Sequence, residues 1–332
     1  MPKRARTRLS NPVVGVDLGG TNMQLGVVDR HNHIHGRLKL KTKAAEGAKS
    51  VIERLARGVE ESCEQAGIKV TDLKAVGVAA AGAIDIPKGV VLNAPNLGWI
   101  DLPFRDILRK RLGVPVVLEN DVNGAVWGEY VLGKTAGQGD VLGIWVGTGV
   151  GGGLVLNGRI YHGAFFTAGE VGHTILDVRE PWGQSKLEEI CSRTGMSRMI
   201  VSRLHAYPKS VLHKLIDPAT GVAGSKVLAQ AYKRRDPLTV DVVNTAADLL
   251  GVAIASFVTL LALDTVIVGG GVTEALGEPY LKRIRASFDR HVFPDVCRGC
   301  RIIPTELVDN AGLLGAALLA REERRGERAG KR

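Results

Sequence analysis

The chain has 332 residues, a length that suits about two domains. A hydrophobic share of 45% and a charged share of 23% are ordinary for a globular protein and exclude general disorder. The net charge of +10 is concentrated at the ends: Lys3, Arg4, Arg6 and Arg8 lie in the first ten residues, and the last twelve carry six basic against three acidic residues. The stretch between is near neutral, which gives no sign of a groove for nucleic acid. Frayed, solvated ends are the plain reading, and contact with a polyanion the sharper one. The 42 glycines sit among Val, Ile and Leu, as expected for tight turns and close backbone approaches. Cys63, Cys191, Cys297 and Cys300 make no disulfide scaffold. The apolar run 13–16 stops at Asp17, too short for a secretory signal. The apolar run 249–263 falls short of a membrane span. A cytoplasmic chain without a membrane partner is expected.

In chain order, residues 13–16 and 24–28 read as strands around a glycine turn, and 33–40 as a third strand. An amphipathic helix over 46–65 ends at Gly67. Residues 75–79 read as a buried strand, and 82–98, rich in Gly, Pro and Asn, as a loop. A helix over 104–112 closes at Gly113, a strand covers 116–118, and 121–132 is helical. The pattern then restarts. Strands 141–146 and 154–156 flank the glycine run 147–153. Helices follow over 187–200, 226–232 and 240–263. A strand over 265–268 meets Gly269, Gly270 and Gly271. A helix over 275–290, a strand over 301–304 and a last helix over 312–320 complete the chain. Strands precede helices twice over, which indicates an α/β protein with two similar lobes.

Four segments carry chemistry. Asp17-Leu18-Gly19-Gly20-Thr21-Asn22 lies between two strands. Its glycines let amide groups turn toward an anion, and Asp17 at a strand end suits a metal bound to phosphate oxygens. Gly147-Thr148-Gly149 opens a second glycine run of the same kind, matching neither a Walker loop nor a dinucleotide fingerprint. In Glu119-Asn120-Asp121-Val122-Asn123 a strand ends and a helix begins. There Asp121 suits either a helix cap or a general base that takes a hydroxyl proton. Glu170 and His173 are spaced to hydrogen-bond one polyol, or else to decorate a surface turn.

Taken together, Asp17 to Thr21, Glu119 to Asn123, Gly147 to Gly153, Glu170 to His173 and Val268 to Val272 resemble the ROK family of repressors and sugar kinases. The resemblance runs over about 13–320. It implies a two-lobed actin-like ATPase (ribonuclease H-like) fold with a cleft between lobes. The expected lobes are a small N-terminal one over 12–120, with helix 311–320 packing back on it, and a larger one over 121–310. Basic, flexible tails are expected at 1–11 and 321–332.

The resemblance further implies an ATP- and Mg²⁺-dependent hexose kinase, glucose being the first acceptor to consider, in a homodimer. Asp17, Gly19, Gly20 and Thr21 match the first phosphate loop, and Gly147, Thr148 and Gly149 the second. Gly269, Gly270 and Gly271 match the segment beside the adenosine. Asp121 matches the catalytic base. Asn96, Asn120, Glu170 and His173 match sugar ligands, and Glu188 matches the glutamate at the anomeric end of the sugar.

One departure is plain. Family members carry zinc-binding cysteines after the Gly-His pair, whereas residues 174–186 contain none. One histidine cannot close a four-ligand site, so no zinc is expected. The alternatives are a kinase for another hexose or for N-acetylmannosamine, a polyphosphate-dependent glucokinase, and a sugar-responsive regulator. About a dozen residues precede the first strand, too few for a base-reading helix pair, so sequence-specific nucleic acid is not an expected partner.

Overall fold

The computed structural model describes residues 9–176, 186–217 and 220–329, with side chains through Glu322 in the last helix. Two compact units divide the chain. The first contains the described residues through Ala136, the segment His162–Ala168 and the chain from Asp309 onward. The second contains Gly137–Tyr161 and Gly169–Val308.

In the first unit, β1 (Val13–Leu18), β2 (Asn22–Val28) and β3 (Ile34–Lys41) form an antiparallel meander. Helix α1 (Ala48–Gln65) buries Val51, Ile52, Leu55, Ala56 and Val59 on one face, the spacing of an amphipathic helix. Then β4 (Val76–Ala80) pairs parallel with β1. Residues 82–98, read as loop from composition, instead supply β5 (Ala83–Asp85) and β6 (Val90–Ala94) of a small antiparallel sheet, completed by β7 (Trp99–Leu102). Its strands are short and interrupted by turns, so no period-2 pattern survives in the sequence. Helix α2 (Phe104–Leu112) closes at Gly113 as expected. Strand β8 (Val116–Asn120) pairs parallel with β4 and leads straight into α3 (Asp121–Leu132). The main sheet has the order β3-β2-β1-β4-β8.

The second unit repeats this plan. Strands β9 (Val141–Val146), β10 (Val150–Leu156) and β11 (Arg159–Ile160) are antiparallel. Thus Gly151, Gly152 and Gly153 lie within a strand, and the turn is confined to Gly147, Thr148 and Gly149. The helical stretch expected over 187–200 is broken at Ser192, which caps the second of two helices, α4 (Leu187–Cys191) and α5 (Arg193–Arg203). Short α6 (Leu212–Leu215) and α7 (Ser225–Lys233) follow. Helix α8 (Pro237–Leu261) is long and apolar enough to cross a membrane by length and composition. Its Leu238, Val242, Ala246, Leu250, Ile254 and Val258 are nevertheless buried in this unit's core.

Strand β12 (Thr265–Gly269) lies parallel to β9, and β13 (Arg301–Pro304) lies parallel to β12. Between them run α9 (Gly271–Leu276) and α10 (Glu278–His291), separated at Gly277 where one helix was expected. Gly277 has φ +64°, and Pro279 stands in the first turn of the second helix. The sheet order β11-β10-β9-β12-β13 reproduces that of the first unit strand for strand. Two sheets of one topology bear out the two similar lobes and the actin-like fold.

The C-terminal helix, Ala311–Ala329, belongs to the first unit and runs beyond the expected 312–320. Arg321, read as tail, donates to Asn32 and to the backbone carbonyls of Val28 and Asp29. The helix crosses β1 and β4 so closely that side chains are excluded beneath it. A Cβ on Gly15 would lie 2.0 Å from the Leu313 carbonyl oxygen, and one on Gly77 1.9 Å from that of Ala316. The same helix packs on α3 through Gly124, Gly128 and Gly315, so α3 stays with the first unit and the boundary falls after Ala136 instead of Asn120.

Overpacking at such a contact costs about 1–3 kcal/mol. Gly77→Ala should therefore lower Tm by several degrees. Gly299→Ala, where nothing lies within 4 Å, should leave it unchanged. Equal Tm values for the two variants would contradict this packing.

Candidate active site

In the first unit, β1 delivers Asp17 to its C-terminal end, where the chain turns through Gly19 and Gly20 into β2. The turn is pinned by Gly19 N–H donating to Asn22 O (3.1 Å) and by the buried Thr42, whose hydroxyl donates to Gly19 O (2.6 Å) and whose N–H donates to Thr21 O (2.9 Å). Asn96, exposed in the turn before β7, packs on Gly20. Two stretches far apart in sequence are thus neighbours.

Two strands along the sheet from β1, beyond β4, β8 passes into α3. The cap is Asn120, not Asp121: Asn120 Oδ1 accepts from Val122 N (2.9 Å) and Asn123 N (3.0 Å), and its Nδ2 donates to Gly82 O (3.0 Å). Both lone pairs are engaged, so a single N–H is left for a ligand. Asp121 therefore stands in the first turn of α3, at the positive end of the helix dipole, and its Oδ1 also accepts from Val122 N (2.9 Å).

Burial pushes the Asp17 carboxyl up to about 7, with the carboxylates of Asp121 and Asp309 adding to the rise and Lys39 opposing it. A carboxylate group this short of positive charge fits a hard divalent cation on oxygen ligands. Among the described residues, no three His, Cys, Asp or Glu side chains are grouped to hold a metal by themselves. A Mg²⁺ at Asp17 would therefore complete its shell with phosphate oxygens and water, as that ion commonly does.

In the second unit the turn Gly147-Thr148-Gly149 is gripped by the segment that joins α4 to α5. Glu188 Oε2 accepts from Val150 N (2.8 Å), Arg193 N donates to Gly147 O (2.9 Å), Arg193 Nη2 to Thr148 Oγ1 (2.6 Å) and Thr194 Oγ1 to Thr148 O (2.7 Å). Glu188, expected at the anomeric end of a sugar, thus has one carboxylate oxygen committed to the phosphate-type loop. Arg193 and Thr194 were missed, since a basic residue at a helix start carries no motif.

Glu170 and His173 do come together. Their side chains are both about half exposed and lie 4.0 Å apart on a single turn of helix, Val171–His173, packed beside the start of β10. Gly269 ends β12 and Gly271 opens α9; Gly270 between them has φ +88°, and a Cβ there would meet Val146 O at 2.6 Å. Only glycine suits that position.

Among the described residues no cysteine stands beside His173 as a partner ligand for zinc. Cys191 is buried, its Sγ donates to Ala246 O (3.3 Å), and burial holds the thiol near 12, far from the thiolate a metal needs. Residues 177–185, in the stretch where the family's cysteines would fall, lie outside the described residues and contain neither Cys nor His.

Sequence reasoning also passed over Glu119 and His162. Glu119 is buried: its Oε1 accepts from Asn120 N (2.9 Å) and Asn123 Nδ2 (3.0 Å), and its Oε2 lies 2.8 Å from His162 Nε2.

The ROK family model matches residues 13–323. The glucokinase of Halalkalibacterium halodurans is 32% identical over 315 residues, covering 93% of this chain and 95% of the relative. Among solved structures, a ROK family glucokinase from Streptomyces griseus in complex with glucose and AMPPNP is 34% identical, with TM-score 0.82 and coverage of 94% and 99%. A ROK hexokinase from Thermus thermophilus is 31% identical, with TM-score 0.78 and coverage of 95% and 99%. The chain belongs to the ROK family.

The raised Asp17 carboxyl has a consequence for stability. Its proton is held more tightly folded than unfolded, where the ordinary value is 3.8, so metal-free protein loses stability as pH climbs from about 4 through about 7. In EDTA, Tm should fall between about pH 5 and about pH 8, and Asp17→Asn should flatten the slope. An identical slope in the variant would contradict the assignment.

Proposed function

We propose that the protein is an ATP-dependent hexose kinase that phosphorylates glucose on its 6-hydroxyl, with Asp121 as general base. The observation that carries this reading is the placement of Asp121 at the first turn of α3, within electrostatic reach of Asp17 at the end of β1. The similarity to a glucokinase in complex with glucose and AMPPNP supports both the acceptor and the donor.

The sugar's O6 attacks the γ-phosphorus of ATP as the bond from that phosphorus to the β,γ-bridging oxygen breaks. ADP leaves, and the O6 proton passes to the Asp121 carboxylate. The remaining N–H of Asn120 orients O6. Glu170 and His173, paired and accessible, hydrogen-bond ring hydroxyls, and Asn96 adds an amide from its turn. The other carboxylate oxygen of Glu188 serves the anomeric end. Gly19 N–H and Gly147 N–H shape their turns by donating to Asn22 O and Gly149 O, and the amides that follow them, at Gly20 and Thr21 and at Thr148 and Gly149, hold phosphate oxygens, while the segment at Gly269, Gly270 and Gly271 lies along the adenosine. Mg²⁺, held through Asp17, supplies charge neutralisation for the phosphates.

General-base help is worth roughly 10²–10⁴-fold. Asp121→Asn should lose that much in kcat with MgATP and glucose, while AMPPNP and glucose still bind within about threefold of wild type. Undiminished turnover in the variant would remove Asp121 from the mechanism.

A further inference from the structure

Glu119 and His162 stand outside every role given above, yet they hold the turn that carries Asp121. One carboxylate oxygen of Glu119 takes the backbone N–H of Asn120 and the side-chain amide of Asn123; the other takes His162 Nε2. The carboxylate of Glu119 is 4% exposed as a residue, so these three donors are what stabilise it in the interior. A carboxylate only accepts, so against ionised Glu119 the Nε2 of His162 is the donor.

His162 is itself fixed. It opens a tight turn closed by Ala168 N–H donating to His162 O (3.1 Å), and Phe166 stacks obliquely on its ring at 6.3 Å. Phe166 has φ +58°, a left-handed conformation that a bulky residue rarely adopts and that only a well-determined turn maintains. The turn His162–Ala168 belongs to the first unit although the chain on either side of it belongs to the second.

We infer that His162, acting through Glu119, is a positioning residue that sets the orientation of the Asn120–Asp121 turn. Glu119 bridges the last amide of β8 and a side chain one turn into α3. Its rotation would tilt the α3 start and with it the Asp121 carboxylate. Without His162 the buried Glu119 carboxylate loses its anchor on one side and is free to reorient. The role rests on the kinase reading for its effect on turnover, but its effect on the turn itself does not.

The test compares His162→Ala with His162→Gln, whose amide returns a donor at similar reach. Misplacement of a catalytic group by about an ångström costs up to about 10²-fold. His162→Ala should lower kcat by roughly ten- to a hundredfold, with KM for glucose and for ATP moving less than threefold. His162→Gln should recover most of that loss. Hydrogen exchange supplies the readout that needs no activity. Amides of a peptide spanning 119–124 should exchange about tenfold faster in His162→Ala and close to wild type in His162→Gln, with β1 and β4 unchanged. Wild-type exchange in the alanine variant overturns the inference whatever the enzyme does. Equal loss in both variants, with exchange raised throughout the first unit, overturns it too, because that is general destabilisation. A wild type that phosphorylates no hexose refutes the kinase reading alone, and the exchange data still judge His162.

Discussion

The C-terminal helix lies directly on the backbone of β1 and β4, and the first unit's chemistry follows from that contact. No side chain fits between Gly15 and Leu313 or between Gly77 and Ala316. The helix is therefore fixed against the strands to within a few tenths of an ångström. Its start carries Asp309 toward Asp17, with Gly312 packed on the Asp17 carboxylate itself, and its glycine face receives α3 and so sets Asp121. Asp121 and Asp309 come within electrostatic reach of Asp17 because one backbone surface meets another. Burial first, and then the charges of Asp121 and Asp309, raise the Asp17 carboxyl, and a cation bound to phosphate would relieve that strain.

The second unit solves a different problem with the same topology. Its glycine turn contains no charged residue, and it is held in shape from the α4–α5 segment by Glu188, Arg193 and Thr194. A loop that binds phosphate through backbone amides needs those amides pre-aimed, since reorganisation on binding would subtract from affinity. Glu188 links the turn to the surface that carries Glu170 and His173, because its Cβ packs near Gly172 on the same short helical turn. Hydrogen bonds and the apolar packing of Leu187 and Cys191 contribute to that shape.

Much of this was legible in the sequence because the informative residues are local. A glycine pair after a strand, a carboxylate at a strand-to-helix junction and an Asn-Asp step each announce a turn with a job. The doubled strand–helix order gave the two lobes. What stayed hidden depends on contacts across long separations or on single breaks. The small sheet of β5, β6 and β7 is too interrupted to show alternation. The breaks at Ser192 and Gly277 fall inside otherwise helical runs. Asn120 and not Asp121 caps α3, a choice that side-chain reach decides and residue type does not. His162 is 43 residues from Glu119, and no spacing rule connects them.

The account stands or falls on transfer of a phosphoryl group to a sugar oxygen instead of to water. The most direct measurement is ³¹P NMR of the purified protein turning over with Mg-ATP and glucose. The account predicts one glucose 6-phosphate for each ADP formed, with no inorganic phosphate beyond the blank. ADP accompanied by inorganic phosphate, or no nucleotide consumed with any hexose offered, would contradict it.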